Sequence, residues 1–265
     1  MAKDYLTKVI QNKSLAKEMV ALRLQVEGEF PDLAMGQFVL IQVPGRPDIV
    51  LRRAFCIADY DKASKQISVV FRVIGEGTAV LARVQAGQEL QVILPLGSGW
   101  DMTKYQTQME APIRHIWLVG GGIGVVPLCG IPKEYPQFDY TSLLGFRGKD
   151  DSVLAAYFDN SQIATDDGSI GHQGMVVDLL RPAYDKQKPD LILACGSVPF
   201  LRGLKNIQTQ GWLQSTQNTP IPIYASFETK MACGVGACMG CVIKVDGQKK
   251  RVCKDAIFDL TKVEL

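Results

Sequence analysis

Four cysteines near the end of the chain have the spacing of a particular kind of metal site. Cys233, Cys238 and Cys241 form a C-x4-C-x2-C run, and Cys253 follows within the reach of a loop. This is the plant-type spacing of a [2Fe–2S] cluster, in which four thiolates hold two irons. Residues 233–241 also include three glycines, which suit a loop that must bring backbone N–H groups close to sulfur.

Two other uses of these cysteines are less consistent with the pattern. A structural zinc site usually shows two C-x2-C pairs or a mixture of Cys and His, whereas this region has a single such pair and no nearby histidine. A disulfide framework needs an oxidising compartment, and nothing in the chain indicates one. The spacing therefore favours an iron–sulfur cluster and an electron carrier.

The composition is that of an ordinary globular protein. Of 265 residues, 47% are hydrophobic and 21% charged, which leaves room for two domains and a short appendage. The net charge is +2 and the Lys and Arg residues are scattered, so we expect no nucleic-acid partner.

The chain also shows no sign of membrane insertion or export. Its first residues lack an apolar signal-peptide core, and no run approaches the roughly 20 apolar residues of a membrane span. Seven cysteines without a signal peptide fit a reducing cytosol. We therefore expect a cytoplasmic protein that does not bind a membrane.

Residues 1–100 have the pattern of an antiparallel β domain. Apolar and polar residues alternate over short segments separated by Pro and Gly, and a short helical pattern covers 78–84. The strand candidates are 20–26, 37–43, 67–71 and 89–94. Short strands at this spacing indicate a barrel.

An arginine pair lies on a further strand candidate in this region, at 51–57. Arg52 and Arg53 are flanked by apolar residues, and arginine is seldom buried without an anionic partner. The pair is equally consistent with an anion site and with a salt bridge at the barrel edge.

Residues 112–225 change to the alternating pattern of a parallel, doubly wound α/β domain. A strand candidate at 113–119 runs into a glycine turn of Gly120, Gly121, Gly122 and Gly124, where a pyrophosphate can approach backbone N–H groups. Further strands at 141–146 and 190–194 alternate with helical patterns at 152–158, 176–180 and 200–207. Cys195 follows the last strand, where ligands bind in such sheets, although it is equally consistent with a small core residue.

Four stretches together resemble a known family. They are Leu-Arg-Arg-x-x-x-Ile at 51–57, Gly-Gly-Gly-Ile-Gly-Val-x-Pro-Leu at 120–128, Ala-Thr-Asp-Asp-Gly-Ser at 164–169 and Met-Ala-Cys-Gly-x-Gly-Ala-Cys-x-x-Cys at 231–241. With them the chain resembles the electron-transfer subunits of the NAD-linked (class 1B) dihydroorotate dehydrogenases of bacteria, in the ferredoxin reductase superfamily. The resemblance covers nearly the whole chain.

The resemblance implies a multi-domain protein: an antiparallel β-barrel FAD domain (1–100), an α/β doubly wound NAD domain (112–225) and a small C-terminal [2Fe–2S] segment (226–265). It also implies an oxidoreductase subunit of pyrimidine biosynthesis. Such a subunit takes electrons from a separate FMN-containing dihydroorotate dehydrogenase catalytic subunit, in a heterotetramer. The electrons pass through the [2Fe–2S] cluster and FAD to NAD⁺.

The same resemblance assigns roles to individual residues. The flavin and its phosphates would contact Arg53, Ala54, Phe55, Cys56, Val70, Phe71 and Arg72, with Gly77 and Thr78 donating to the pyrophosphate. NAD(H) would contact Gly120, Gly121, Gly122 and Gly124, and Cys195 would lie near the nicotinamide as the candidate catalytic residue. Cys233, Cys238, Cys241 and Cys253 would be the metal ligands.

Asp166 and Asp167 are candidates for the choice between NAD(H) and NADP(H). An acidic side chain after a strand of such a sheet can accept from a ribose 2′-hydroxyl and repel a 2′-phosphate. Alternatively, both aspartates shape the turn before Gly168.

The flavin strand departs from the family pattern. The family usually has Pro-Ile-Ser after the second arginine, where this chain has Ala54, Phe55 and Cys56. A thiol is a weaker hydrogen-bond donor than a hydroxyl, so we expect the flavin's potential or its hydride-transfer rate to differ.

Two alternative functions stay open at this point. One is an NAD(P)H–ferredoxin-type reductase with a different partner, such as a sulfide dehydrogenase or a bifurcating subunit. Relatives of that kind often replace one cluster cysteine with aspartate, whereas all four are cysteine here. The other is a zinc-bearing adaptor without catalytic activity, which the glycine turn and the arginine strand argue against.

Overall fold

The computed structural model describes residues 2–215 and 218–265, and these fall into two compact units. The first unit consists of the residues up to Gly99 together with Thr229–Ile243 and Lys249–Ala256. The second consists of Trp100–Glu228, Lys244–Gln248 and Ile257–Leu265. Residues 226–265 thus contribute to both units, and the division of the chain into three domains stays a prediction.

The first unit is built on a closed six-stranded antiparallel barrel, as the alternating pattern predicts. Its strands are β1 (Lys3–Ala16), β2 (Met19–Val26), β3 (Phe38–Ile41), β4 (Arg53–Asp61), β5 (Gln66–Arg72) and β6 (Glu89–Leu96), and the helix α1 (Glu76–Leu81) lies between β5 and β6. Around the barrel the strand order is β1-β2-β5-β4-β3-β6. In β2, Leu22 and Leu24 enter the core while Arg23 between them is exposed, which is the period of a half-buried strand.

The longest strand of the barrel, β1, carries no alternating signal and escapes prediction. It is rich in polar residues, and within it Thr7 and Val9 are buried. The Thr7 hydroxyl meets the requirement for a buried polar group by donating to the Leu90 carbonyl at 2.9 Å.

The strand β3 is buried on both of its faces. Val39 and Ile41 belong to the barrel core, so Phe38 and Leu40, which alternate with them, point out of the barrel. Both are nevertheless buried. Gly234 of the cysteine segment lies against Leu40, so this segment supplies the cover on the outer face.

The cysteine segment is also joined to the end of β6. The amide of Gly97 donates to the Cys253 carbonyl at 3.2 Å, and the amide of Ala256 donates to the Ser98 hydroxyl at 3.1 Å. These backbone contacts fix the residues around the last cysteine on the barrel.

The second unit is a seven-stranded sheet with helices. Its elements begin with α2 (Met102–Thr107), β7 (His115–Gly121), α3 (Ile131–Glu134), β8 (Asp139–Phe146), β9 (Gln162–Thr165) and β10 (His172–Gln173), and continue with α4 (Leu180–Lys186), β11 (Leu191–Cys195), α5 (Val198–Thr209) and β12 (Ile223–Ser226). Next, β13 (Val242–Val245) and β14 (Gln248–Arg251) form a separate two-stranded sheet whose residues are divided between the two units, and β15 (Ile257–Asp259) joins the large sheet.

The large sheet has the strand order β10-β9-β8-β7-β11-β12-β15. All its neighbours are parallel except β12 and β15, which are antiparallel. Because β8 lies on one side of β7 and β11 on the other, the order reverses at β7, as in doubly wound folds. The predicted fold class is confirmed.

Two of the helical patterns predicted in this unit, 152–158 and 176–180, are met by the 3₁₀ segments Asp151–Tyr157 and Val176–Leu179. The segment that follows the glycine turn, Gly122–Leu128, is also 3₁₀. In Gly122–Leu128, Pro127 removes a backbone donor and two glycines, Gly122 and Gly124, weaken the α-helix. Within the described residues, no helix combines the length and apolar character of a membrane span.

We expect Gly234→Ala to lower the midpoint of thermal unfolding, followed by circular dichroism. Gly234 has a φ of +66°, and a Cβ there would overlap Cδ1 of Leu40. Alanine would incur the left-handed strain of about 1–2 kcal/mol and would also push the cysteine segment off β3.

Gly247→Ala is the matched control. Gly247 has a φ of +71°, but nothing lies within 4 Å of the position of its Cβ, so alanine there carries the backbone strain alone. If both variants lost the same stability, the contact with Leu40 would have no energetic weight.

Candidate functional site

The four cysteines predicted to bind the cluster, Cys233, Cys238, Cys241 and Cys253, are grouped as two sulfur pairs. Cys238 lies beside Cys233, and its amide donates to the Cys233 Sγ at 3.4 Å. Cys253 lies beside Cys241, and its amide donates to the Cys241 Sγ at 3.4 Å. A third amide, from Gly240, donates to the Cys238 Sγ at 3.4 Å. Backbone N–H groups thus surround the sulfurs, as negatively charged thiolates require.

The electrostatic environment differs between the two pairs. The amide of Cys238 is the main cause that lowers the pKa of the half-buried Cys233 thiol to about 6. Burial, with the neighbouring Cys241 sulfur, raises the pKa of the Cys253 thiol to about 11. Metal binding would therefore displace a proton from Cys253, since the ligand is the thiolate.

This donor set fits a two-iron cluster. Each iron of a [2Fe–2S] centre takes two protein thiolates, and the loop presents two pairs. Among the residues that the structure describes, no three His, Cys, Asp or Glu side chains converge on a single ion position.

The loop that carries the cysteines is held on both sides. Gly234 lies against Leu40 of β3, and Arg251 of β14 donates from Nη1 to the Gly236 carbonyl at 2.8 Å. The amide of Val252 donates to the Cys241 carbonyl at 3.1 Å. The positions of the sulfurs are therefore set by backbone and by neighbouring strands.

The predicted flavin strand lies directly beside the strand that carries the loop. In the ladder between β3 and β4, Leu40 is opposite Ala54 and Phe38 is opposite Cys56. Opposite residues share one face of a sheet, so Ala54 and Cys56 lie on the outer face on which the loop sits. Two further residues assigned to the flavin lie on the other face: Phe55 stacks on Phe71 with ring centroids 4.7 Å apart, against the barrel core.

The structure separates the two arginines of the pair. Arg52 makes an ion pair with Asp4 at 2.7 Å, so the salt-bridge interpretation holds for Arg52. Arg53 makes no ion pair within the described part of the chain. Its Nη1 donates to the Leu51 carbonyl at 2.5 Å, and a Cβ on Gly77 would lie 2.5 Å from its Nε.

The guanidinium of Arg53 therefore lies on the backbone of Gly77, at the start of α1. A cation and backbone N–H groups at one point form a suitable anion site. The Thr78 hydroxyl, in contrast, is engaged in its own turn, accepting from the amides of Ile74 and Gly75 and donating to the Gly75 carbonyl. An anion here would meet Arg53 and backbone rather than this hydroxyl.

The remaining assigned residues of β5 differ in where they lie. Phe71 belongs to the barrel core, whereas Val70 and Arg72 alternate with it and point outward. Their assignment to the flavin stays a prediction.

In the second unit, the glycine turn and Cys195 meet at the point where the strand order reverses. Gly120 is paired with Cys195 in the ladder between β7 and β11. A Cβ on Gly124 would lie 2.7 Å from the Gly196 Cα, so only glycine permits this approach of the two turns. Cys195 itself is fully buried, and its assignment to the nicotinamide stays a prediction.

The two aspartates have different surroundings. The Asp167 carboxylate accepts from the hydroxyl of Ser169 at 2.6 Å and from its amide at 2.9 Å, which lowers the pKa of Asp167. Asp166 is exposed, and its carboxylate makes no hydrogen bond or ion pair within the described residues. Asp167 thus shapes the turn, and Asp166 is available to a ligand.

Leu40, on which the cysteine loop lies, is a site residue that the sequence patterns did not indicate. A signal for it exists: β3 reads Phe-Val-Leu-Ile, four apolar residues in a row. A continuous apolar strand is buried on both faces, so this run indicates that something covers the outside of the barrel.

Comparison with known proteins identifies the cysteine segment and the whole chain. Residues 228–263 match the family model for the iron-sulfur cluster binding domain of dihydroorotate dehydrogenase B. A relative from Listeria monocytogenes serotype 4a is 36% identical, over 97% of this chain and 98% of its own. A relative from Fusobacterium nucleatum is 33% identical, over 97% of each chain. Both are named dihydroorotate dehydrogenase B (NAD(+)), electron transfer subunit.

Solved structures support the fold. An NADH-dependent reduced ferredoxin-NADP oxidoreductase has a TM-score of 0.79 at 24% identity, over 97% of this chain and 89% of that chain. A ferredoxin NADP+ reductase from Neisseria gonorrhoeae has a TM-score of 0.64 at 14% identity, over 86% of this chain and 100% of that chain.

The predicted resemblance and the interpretation of the cysteine run as an iron–sulfur site are confirmed, while the roles of individual residues stay predictions. By its full-length identity to these relatives, the chain belongs to the family of electron transfer subunits of dihydroorotate dehydrogenase B (NAD(+)).

Proposed function

We propose that this protein carries electrons to NAD⁺ from a partner subunit, and that the partner obtains them by oxidising dihydroorotate. The carriers would be a [2Fe–2S] cluster and FAD, both held in the first unit. The observation that carries the proposal is the position of the cysteine loop, which lies on Leu40, the residue opposite Ala54 of the predicted flavin strand. The names of the full-length relatives support the partner, the substrate and the acceptor.

The spacing of the strands β3 and β4 would keep the [2Fe–2S] cluster and the FAD close to each other. Neighbouring strands lie about 4.8 Å apart, so the loop on β3 is about one strand spacing from the outer face of β4. Electron tunnelling weakens exponentially with distance, and a relay needs such closeness. The protein's contribution is to hold both carriers on one rigid barrel.

The cofactors bring the redox chemistry, and the chain binds and orients them. When bound, the cluster exchanges single electrons and the flavin exchanges both single electrons and a hydride. Arg53 and the backbone at Gly77 would neutralise the flavin's phosphates. The amides of Cys238, Gly240 and Cys253 would stabilise negative charge on the sulfurs.

The acceptor site is assigned to the carboxyl edge of the large sheet in the second unit. A pyrophosphate would approach the turn after β7, next to the turn at Gly196. Asp166 would accept from the ribose 2′-hydroxyl, since Asp167 is engaged with Ser169. This arrangement favours NAD(H) over NADP(H).

Dihydroorotate itself would be oxidised elsewhere. The described chain contains one barrel and one doubly wound sheet, and none of it is the (β/α)₈ barrel that houses the substrate chemistry in this family. We therefore place the substrate on an FMN-containing catalytic subunit, with which this chain would form a heterotetramer. All seven cysteines are free thiols, which suits a reducing cytoplasm.

A stand-alone reductase or a bifurcating subunit is not favoured by any observation here. The solved structures of such proteins are 24% identical or less and bear on the fold alone. The curated full-length relatives of higher identity carry the dihydroorotate dehydrogenase name.

The central test is reconstitution. The isolated chain should contain iron and acid-labile sulfide in equal amounts, oxidise NADH with an artificial dye and leave dihydroorotate untouched. Adding the FMN catalytic subunit should restore reduction of NAD⁺ by dihydroorotate, because the electrons then have a donor site. Cys241→Ser should abolish this linked activity and retain the NADH–dye reaction. Zinc in place of iron, or flavin bleaching by dihydroorotate in the isolated chain, would refute the proposal.

A second prediction concerns flavin binding. We expect Arg53→Ala to weaken FAD binding by roughly ten- to a hundredfold, since a hydrogen bond to a charged group contributes about 1.5–3 kcal/mol. The measurement is flavin released per chain, identified by chromatography and titrated by fluorescence. Arg52→Ala, which removes only the exposed pair with Asp4, is the control and should keep its flavin. Release of FMN rather than FAD, or equal losses in both variants, would argue against the assignment.

The third prediction separates the two aspartates. Asp166→Asn should lower the preference for NADH over NADPH, expressed as the ratio of kcat/KM values, by about tenfold or about 1.4 kcal/mol, because the repulsion of a 2′-phosphate is lost. Asp167→Asn should instead lower thermal stability through the turn at Ser169. An unchanged ratio in Asp166→Asn would remove this residue from the specificity site.

A further inference from the structure

The outward side of the cysteine loop is apolar and exposed. Gly234 faces the barrel at Leu40, while Val235 and Met239 are 42% and 48% exposed. Cys238, between them in sequence, is exposed as well. Large apolar side chains left in water beside a redox centre are typical of the middle of a protein interface.

Basic side chains border the same loop. Arg251 donates to the Gly236 carbonyl at 2.8 Å, and the Lys254 side chain lies so close to Gly236 that a Cβ there would be 2.9 Å from Cε. Because side chains alternate along a strand, Lys249 shares the face of β14 with Arg251, whereas Lys250 points to the opposite face. Lys249, Arg251 and Lys254 make no ion pair with a carboxylate within the part of the chain that the structure describes.

Arg251 differs in role from the two lysines. Its guanidinium is committed to the loop carbonyl, so it supports the loop itself. Lys249 and Lys254 are exposed, and no internal anion accounts for their charges. An apolar centre with a charged rim is the usual anatomy of a protein interface.

We propose that Val235, Met239, Lys249, Arg251 and Lys254, here called the basic collar, form the docking surface for an acidic face of the flavoprotein partner. This inference rests on the proposed function and adds the sign of the charges on the partner. The lysines would steer the encounter, and the two apolar side chains would be buried next to the exposed Cys238. Rim charges of this kind act mainly on the rate of association and on its dependence on salt.

The test compares a charge reversal within the basic collar with one on the opposite face of β14. The double variant Lys249→Glu/Lys254→Glu and the control Lys250→Glu are bound to the FMN-containing catalytic subunit from the same genome. Association rate and Kd are measured at about 0.05 M and about 0.5 M salt, where the Debye length falls from about 14 Å to about 4 Å. Iron content and visible absorbance of each variant report whether the cluster is intact.

At low salt we expect the double variant to associate at least about tenfold more slowly than the wild type. Lys250→Glu should stay within about twofold. At high salt the difference should largely disappear, because the charges are screened. The cluster content should be the same in all three proteins.

Three results would overturn the proposal that the basic collar is a docking surface. The first is equal binding of the double variant and the wild type. The second is a loss of affinity that persists at high salt or accompanies a loss of iron, which would give the lysines a structural role. The third is a shifted cluster potential with unchanged binding, which would make them tuning groups for the cluster.

The same measurements distinguish failure of the proposed function from failure of the docking proposal. If the wild-type chain formed no complex with the catalytic subunit and dihydroorotate never reduced NAD⁺ in the mixture, the proposed function would fall, and the basic collar with it. If the mixture turned over normally and only the charge reversals were silent, the function would stand and the collar alone would be wrong.

Discussion

The contact between Gly234 and Leu40 is the constraint on which the arrangement of the first unit depends. It puts the cysteine loop on the outer face of β3, and the ladder between β3 and β4 then fixes how far the loop lies from Ala54 and Cys56. A hydrogen-bonded ladder cannot slide by one residue without turning its side chains to the other face. The separation between the sulfurs and the predicted flavin strand is therefore set by backbone pairing.

Backbone groups also provide most of the hydrogen bonds that would stabilise negative charge on the cysteine sulfurs. Three amides donate to cysteine sulfurs, and Arg251 holds a loop carbonyl. Because these donors belong to the backbone or to an adjacent strand, most of the hydrogen bonds of the site depend on the path of the backbone. Substitution of side chains alters that path little. Arg53 and Gly77 repeat the pattern at the anion site, where a guanidinium lies on bare backbone.

Local patterns were enough to predict the fold class and the type of chemistry, but not the partition of roles among neighbours. Cysteine spacing identifies a cluster because the ligands are close in sequence. Alternation predicts β2 and β5 because one face of each is buried, whereas β1 is too polar to give that signal. Arg52 and Arg53 are the same residue type, and their roles differ because Asp4, 48 residues from Arg52, forms an ion pair with Arg52. In the same way, the roles of Asp166 and Asp167 differ because Ser169 donates hydrogen bonds to Asp167. Such distinctions arise from contacts between individual side chains, which the hydrophobic pattern of the sequence does not reveal.

The two sulfur pairs differ in burial, and this has a consequence for how long the cluster survives. Cys241 and Cys253 are 3% and 1% exposed, while Cys238 is exposed and Cys233 half-buried. With the predicted ligand set, oxidants and chelators would reach the iron on the side of Cys233 and Cys238 first, so damage to the cluster would begin at the exposed pair.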